Sequence, residues 1–200
     1  MITTRLSSLT VEDVPLLERV ETITGLSFWG RENYIRFLRD FPEYFGTKAM
    51  VFADSARGQF AGFLLARSIF ENLEILKVGV WPEFHRRGIG TLLMKAAYAE
   101  GIRRGCERCF LEVRKSNRGA IDFYLAHKFV LSGVRRNYYV EPVEDALIME
   151  RSFQGFGGTP QGAGGDGGGT GKDARNSAHP GSGAEKRCEA HRRDAKDAEN

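Results

Sequence analysis

The sequence is short of cysteine, of long apolar runs and of charge of one sign, and each shortage removes a class of function. Three cysteines in 200 residues cannot build a disulfide framework. Cys106 and Cys109 form one Cys-x-x-Cys, but a structural zinc site takes four ligands and no second Cys or His pair stands at a suitable spacing, so no metal is expected. No apolar stretch approaches the roughly 18 to 20 residues of a membrane span, and nothing near Met1 has the basic start and apolar run of a secretory signal. A soluble, cytoplasmic protein without a membrane partner is predicted. The formal net charge of +3 is too small to make nucleic acid the main partner, beyond weak contact by a basic tail.

The far end of the chain lacks core-forming residues. Beyond Gln154 there is one aromatic residue, Phe156, and no Leu, Ile, Val or Met, while half of the 24 glycines lie there. Such a stretch cannot bury enough apolar surface to offset its ordering entropy. A folded domain over residues 1–153 and a disordered tail over 154–200, glycine-rich and then charged, are therefore predicted.

Within the domain the hydrophobic period alternates. Ile2 to Leu9 reads as a strand, and Thr10-Val11-Glu12-Asp13 resembles a capping box before a helix carrying Leu16, Leu17, Val20 and Ile23. Tyr34, Phe37, Leu38 and Phe41 recur at helical spacing until Pro42. Ala49 to Ala53, Phe60 to Ile69 and Leu73 to Val80 read as successive antiparallel strands, closed by Pro82. Ile89, Leu92, Leu93 and Ala96 lie on one face of a helix that Gly105 stops. A strand over Phe110 to Arg114, a helix over Asn117 to Ala126 with Ile121, Tyr124 and Leu125 together, and strands over Phe129 to Tyr139 and Ala146 to Phe153 complete the order β-α-α-β-β-β-α-β-α-β-β.

The segment His85-Arg86-Arg87-Gly88-Ile89-Gly90-Thr91 joins a strand to a helix. Its glycines let the backbone approach a ligand where free amides point outward, and a helix N-terminus attracts an anion such as a pyrophosphate. A tight strand-to-helix turn needs glycine with or without a ligand, however. The loop has neither the pattern of a nucleoside triphosphate site nor the third glycine of a dinucleotide fingerprint.

Two residues have the chemistry of a base and an acid. Glu112 sits mid-strand on the face opposite to Leu111 and Val113, as a base or as half of an ion pair with Arg114. Tyr124 lies on the apolar side of its helix, as a proton donor or as an ordinary buried tyrosine.

The loop resembles the acetyl-CoA motif of the GNAT superfamily, with His85 standing where Gln or Arg is usual. Leu111 to Asn117, Ala120 to Tyr124, Arg135 to Tyr139 and Glu144 to Met149 resemble the RimI family of protein N-terminal alanine acetyltransferases, as does Phe28-Trp29. The likeness extends more loosely from about Arg5 to Phe153. It implies a GNAT fold in a single α/β domain, with a mixed, mostly antiparallel central sheet flanked by helices, and acetyl-CoA as cosubstrate. It implies Glu112 as proton acceptor and Tyr124 as proton donor. For cofactor binding it implies Val78, Gly79, Val80, Arg86, Arg87, Gly88, Ile89, Gly90, Thr91 and Asn117, and for the acceptor Trp29, Tyr138 and Tyr139. The implied partner is a protein or peptide N-terminus, that of a small-subunit ribosomal protein, with its terminal alanine acetylated. An acetyltransferase of small amines or lysine, and a non-catalytic acetyl-CoA-binding module, are the alternatives. The family has Gly where this chain has Lys128; if that position needs a positive φ, Lys128 carries strain.

Overall fold

The computed structural model describes residues 2–53 and 57–153, and among them the elements occur in the predicted order. They are β1 (Ile2–Ser8), α1 (Val14–Thr24), α2 (Arg31–Arg39), β2 (Tyr44–Ala53), β3 (Gln59–Ile69), β4 (Asn72–Val80), α3 (Ile89–Arg103), β5 (Arg108–Arg114), α4 (Arg118–Ala126), β6 (Val130–Val140) and β7 (Val143–Ser152). The tail expected from residue 154 lies outside the described residues.

The strands form one sheet in the order β1-β2-β3-β4-β5-β7-β6, antiparallel except for the β4–β5 pair. Helices cover both faces. Val14, Leu17 and Val20 of α1 with Tyr34 and Phe37 of α2 pack against Phe63 and Leu65 of β3. Ile89, Leu93, Met94 and Ala97 of α3 with Ile121 of α4 pack against Leu64 and Ala66, the alternate residues of the same strand. β3 therefore reads as a continuous apolar run, as a strand buried on both faces must.

Local signals explain most boundaries. Asp13 accepts hydrogen bonds from Thr10 N at 2.9 Å and Thr10 Oγ1 at 3.1 Å, and a single 3-10 turn, Val11–Asp13, precedes α1. Gly105, at φ 81°, ends α3 as predicted, with Cys106 N donating to Gly101 O at 2.9 Å. β2 begins at Tyr44, five residues before the predicted Ala49, because Tyr44 to Lys48 are held by register with Arg67 to Phe63 and not by their own period. Ile23, Leu92 and Leu125, assigned to inner faces by periodicity, are exposed. The inner face of α1 carries Glu21 in place of Ile23.

Candidate functional site

A bulge and a divergence in the sheet create the site. β3 and β4 pair Ala66 with Ile75 but Leu65 with Lys77, so Leu76 is an extra residue in β4. An inserted residue bends its strand and reverses the facing of the residues beyond it. Ile75 points into the α3-side cluster, Lys77 contacts Glu21 of α1, and Val78 and Val80 return to the α3 side. Gly79 faces α1: a Cβ there would stand 2.7 Å from Val20 Cγ1 and 3.0 Å from Leu26 Cδ1. At the same level β4 leaves β5, since their ladder runs only from Asn72↔Arg108 to Ile75↔Leu111. β5 stays paired with β7 as far as Arg114. The strands thus part around an opening, with Val78, Gly79 and Val80 along one side and Glu112 along the other. Backbone groups on the β4 side of this gap have lost their ladder partners and can bind an extended ligand. Val80 O is already engaged, by His85 Nε2 at 2.8 Å, which gives the unusual His85 a role in fixing the loop.

That opening leads to the start of α3. Gly88 is its N-cap at φ 78°, with no side-chain cap hydrogen bond, so the first amides of a 15-residue helix point outward unpaired. Arg86 also adopts a positive φ of 59°. Arg86 and Arg87 are exposed beside these amides, and Arg87 lies over the Phe84 ring at 5.6 Å. Ile89 is a core residue and can offer a ligand its backbone alone. A Cβ on Gly90 would stand 3.1 Å from the Phe123 ring, so helix packing by itself favours a glycine there. Gly88 has no protein atom within 4 Å of its Cβ position. Thr91 Oγ1 lies 3.2 Å from His127 Nε2, and Asn117 caps α4 by accepting from Ala120 N at 3.1 Å. The side chains of Thr91 and Asn117 thus have structural partners. An uncapped helix start, an αL glycine and two exposed arginines suit the pyrophosphate of acetyl-CoA.

Glu112 lies between Leu111 and Val113, both in the α3-side cluster, and so projects to the face of α1 and α2. Its ion pair is with Arg135, at 2.9 Å, and not with Arg114. Arg114 reaches instead to the β6–β7 hairpin, where it pairs with Glu144 at 3.3 Å, donates to Glu141 O at 2.9 Å and stacks 4.0 Å above Tyr139. Tyr124 packs against the opposite cluster, 5.8 Å from the Phe129 ring. Burial, then the proximity of Tyr139, raises its phenol above the ordinary value and keeps it protonated. Burial, then Glu112, pushes the Tyr139 phenol up to about 12. Tyr138 and Tyr139 meet edge to face at 5.2 Å. β6 bulges between Arg135 and Tyr139, with Asn137 at φ 51° donating its N–H to Asp145 Oδ1 at 3.1 Å. Trp29 rests on Tyr34 and Phe37, with ring centroids 5.6 and 5.8 Å away.

Sequence reading misses two features. Arg135 stands out only as part of the Arg135 to Tyr139 motif, and its partner Glu112 sits on another strand. Lys77, Glu21 and Tyr34 form a buried cluster: Lys77 pairs with Glu21 and Tyr34 Oη donates to Glu21 Oε1 at 2.7 Å. Burial, opposed by Glu21, lowers the Lys77 ammonium to about 8. The signal present in the sequence is one charge of each sign at an otherwise apolar position, Glu21 after Leu17 and Val20 and Lys77 within Leu73 to Val80.

Lys128 has φ 67°, the positive value anticipated for a position that suits glycine. No helix among the described residues is long and apolar enough to cross a membrane.

Known proteins resemble this chain in sequence and fold. The chain is 29% identical over 146 residues to the ribosomal protein bS18-alanine N-acetyltransferase of Escherichia coli K12, covering 72% of this chain and 94% of that protein. It is 31% identical to an N-alpha-acetyltransferase of Sulfurisphaera tokodaii, covering 66% of this chain and 85% of the other. The crystal structure of the ribosomal-protein-S18-alanine N-acetyltransferase from Escherichia coli superposes with a TM-score of 0.65 at 24% identity, covering 80% of this chain and all of that one. A profile of the acetyltransferase (GNAT) family matches residues 15–129. That match spans α1, the bulged and diverging strands, the uncapped α3 start and α4, so the chain belongs to the GNAT family of acetyltransferases, whose cosubstrate is acetyl-CoA.

Proposed function

We propose that the protein transfers the acetyl group of acetyl-CoA to the N-terminal α-amine of another protein, the terminal alanine of a small-subunit ribosomal protein, in the cytoplasm. One observation carries the reading: Glu112 faces the α1–α2 side of the opening where β4 leaves β5, while Tyr124 stands on the α3–α4 side. This arrangement supports reading Glu112 as the proton acceptor and Tyr124 as the proton donor. The names of the curated relatives support the choice of acceptor.

Acetyl-CoA supplies the activated acetyl group and a thiolate leaving group. The Gly88 to Thr91 amides with Arg86 and Arg87 would hold its pyrophosphate, and the backbone of Val78, Gly79 and Val80 its pantetheine arm. Asn117 would border the same channel. Trp29, Tyr138 and Tyr139 would wall the acceptor side.

Glu112 accepts the proton that the incoming ammonium must lose. An α-amine has a pKa of about 7.7 to 8.0 and a lysine about 10.4, so taking a proton from lysine costs about 3.5 kcal/mol more at about 1.36 kcal/mol per pKa unit. Tyr124, kept neutral by burial, gives its proton to the leaving thiolate.

The test mixes purified protein and acetyl-CoA with peptides beginning Ala-Arg, Ser or Met, or bearing an internal lysine, and tracks peptide mass and free coenzyme A. Acetylation confined to the alanine α-amine is expected. Turnover only on lysine or small amines overturns the choice of acceptor, and binding of acetyl-CoA without transfer overturns the catalytic reading.

A further inference from the structure

The buried Lys77–Glu21 pair is costly to maintain and takes no part in the two proton transfers. Both side chains are almost completely inaccessible, and Glu21 Oε2 is buried without a hydrogen-bond partner among the described residues. Removing two charges from water costs several kcal/mol per ion, and apolar residues of similar volume often serve stability as well. Buried ion pairs can instead fix one arrangement among several.

Lys77 has a second hydrogen-bond partner that shows which arrangement is fixed. Its Nζ donates to Ser27 O at 2.6 Å, 50 residues away in sequence, and lies 4.7 Å from the centre of the Trp29 ring. Ser27 and Trp29 belong to the segment joining α1 to α2, which Gly25 starts by closing α1 in the left-handed conformation, at φ 66°. Leu26 of that segment lies against Gly79. One ammonium therefore ties this loop to β4 two residues before Gly79, on the face toward which Glu112 projects. The β4 bulge at Leu76 is what turns Lys77 to this side.

We infer that Lys77 is a positioning residue that, with Glu21 as its counter-charge, latches the Leu26–Trp29 loop against β4 and thereby sets the acceptor-side wall of the slot. The latch acts first on the acceptor, because Ser27 and Trp29 lie on the α1–α2 face of the sheet, toward which Glu112 projects, and α3 packs on the other face. For its activity consequence this inference rests on the N-terminal acetyltransferase reading.

The test uses the full chain carrying Trp81→Phe, which leaves Trp29 as the single indole of the two in the sequence. Into it goes the charge-neutral pair Glu21→Gln with Lys77→Met, which removes both buried charges together and the donor to Ser27. Acrylamide quenching of Trp29 is expected to rise at least about twofold. The KM for an Ala-starting peptide should rise about tenfold, with kcat within about twofold of the parent and any rise in the KM for acetyl-CoA smaller than that for the peptide. Tyr34→Phe, which loosens the same cluster but keeps Lys77 on Ser27, should leave the acceptor KM unchanged. Parent-like quenching and acceptor KM in the folded double variant would overturn the latch, as would an equal KM rise in Tyr34→Phe. If the double variant does not fold, Lys77→Gln is read by the same two measurements below its melting temperature. If the parent acetylates no peptide, the functional reading fails while the quenching comparison still decides the latch.

Discussion

The Nε of Arg135 lies 2.9 Å from Oε1 of Glu112, joining β6 to β5 across the intervening β7. Ile148 of β7 stands opposite Glu112 and also opposite Gly133 of β6. Ala146 of β7, which stands opposite Arg135, is the small residue on the path the guanidinium takes to Glu112. The proposed base is therefore oriented by a cation from outside its own strand pair, and the slot is bounded by the β6 bulge just beyond Arg135.

Glu112→Gln separates orientation from proton transfer. A glutamine carbonyl still accepts from Arg135, but the amide cannot take up a proton. The expected outcome is a loss of kcat of about 10²- to 10⁴-fold with acetyl-CoA binding, measured by calorimetry, unchanged. Full turnover would remove Glu112 as the base.

Tyr124→Phe should lower kcat by about 10²-fold. The phenol is raised above its ordinary value by burial, so its protonated form persists to higher pH than an exposed tyrosine's. The pH profile of kcat should then show no alkaline limb from Tyr124 below about pH 10. A limb near pH 8 that disappears in Tyr124→Phe would contradict the assignment.

The two glycines of the cofactor loop should fail differently. Gly88→Ala places an L-residue at φ 78° in open space, so it costs about 1 to 2 kcal/mol of backbone strain and raises the KM for acetyl-CoA by disturbing the first amides. Gly90→Ala puts a methyl group 3.1 Å from the Phe123 ring and should shift that ring by a few tenths of an ångström while leaving the backbone of the loop unstrained. Urea unfolding with initial-rate kinetics distinguishes strain from displacement: a Gly88→Ala protein as stable as the parent would refute the first.

Lys128→Gly should stabilise the fold. The left-handed conformation costs an L-residue about 1 to 2 kcal/mol, and glycine's extra unfolded-state freedom returns roughly 0.5 to 1 kcal/mol. A net gain of about 0.5 to 1 kcal/mol is expected, read as a rise of about 1 to 4 °C in Tm. Lower stability would mean that the lysine side chain contributes more than its backbone costs.

Local patterns carry much of the architecture. Helices, strands and their order are legible because the 3.6- and 2-residue periods are written into consecutive residues, and punctuating residues such as Pro42, Pro82 and Gly105 mark the ends. Glu112 and Tyr124 stand out for a related reason: a carboxylate within Phe110 to Arg114 and a hydroxyl on an apolar helix face are visible exceptions to those periods. Exposed Ile23, Leu92 and Leu125 show the limit of this reading, since a period gives a face its direction but not the width of its cover.

By itself the sequence determined the element order, the glycine-bearing start of α3 and the identity of the two candidate proton-transfer groups, because each depends on residues near one another in the chain. Only the tertiary structure decided the insertion of β7 between β5 and β6, the end of the β4–β5 ladder at Ile75 and Leu111, the bulge at Leu76, and the pairing of Arg135 with Glu112 and of Lys77 with Glu21. These are contacts between distant segments. Backbone register and charge pairing across such separations leave no period in either strand, so they exist only once the sheet has formed and closed the distance.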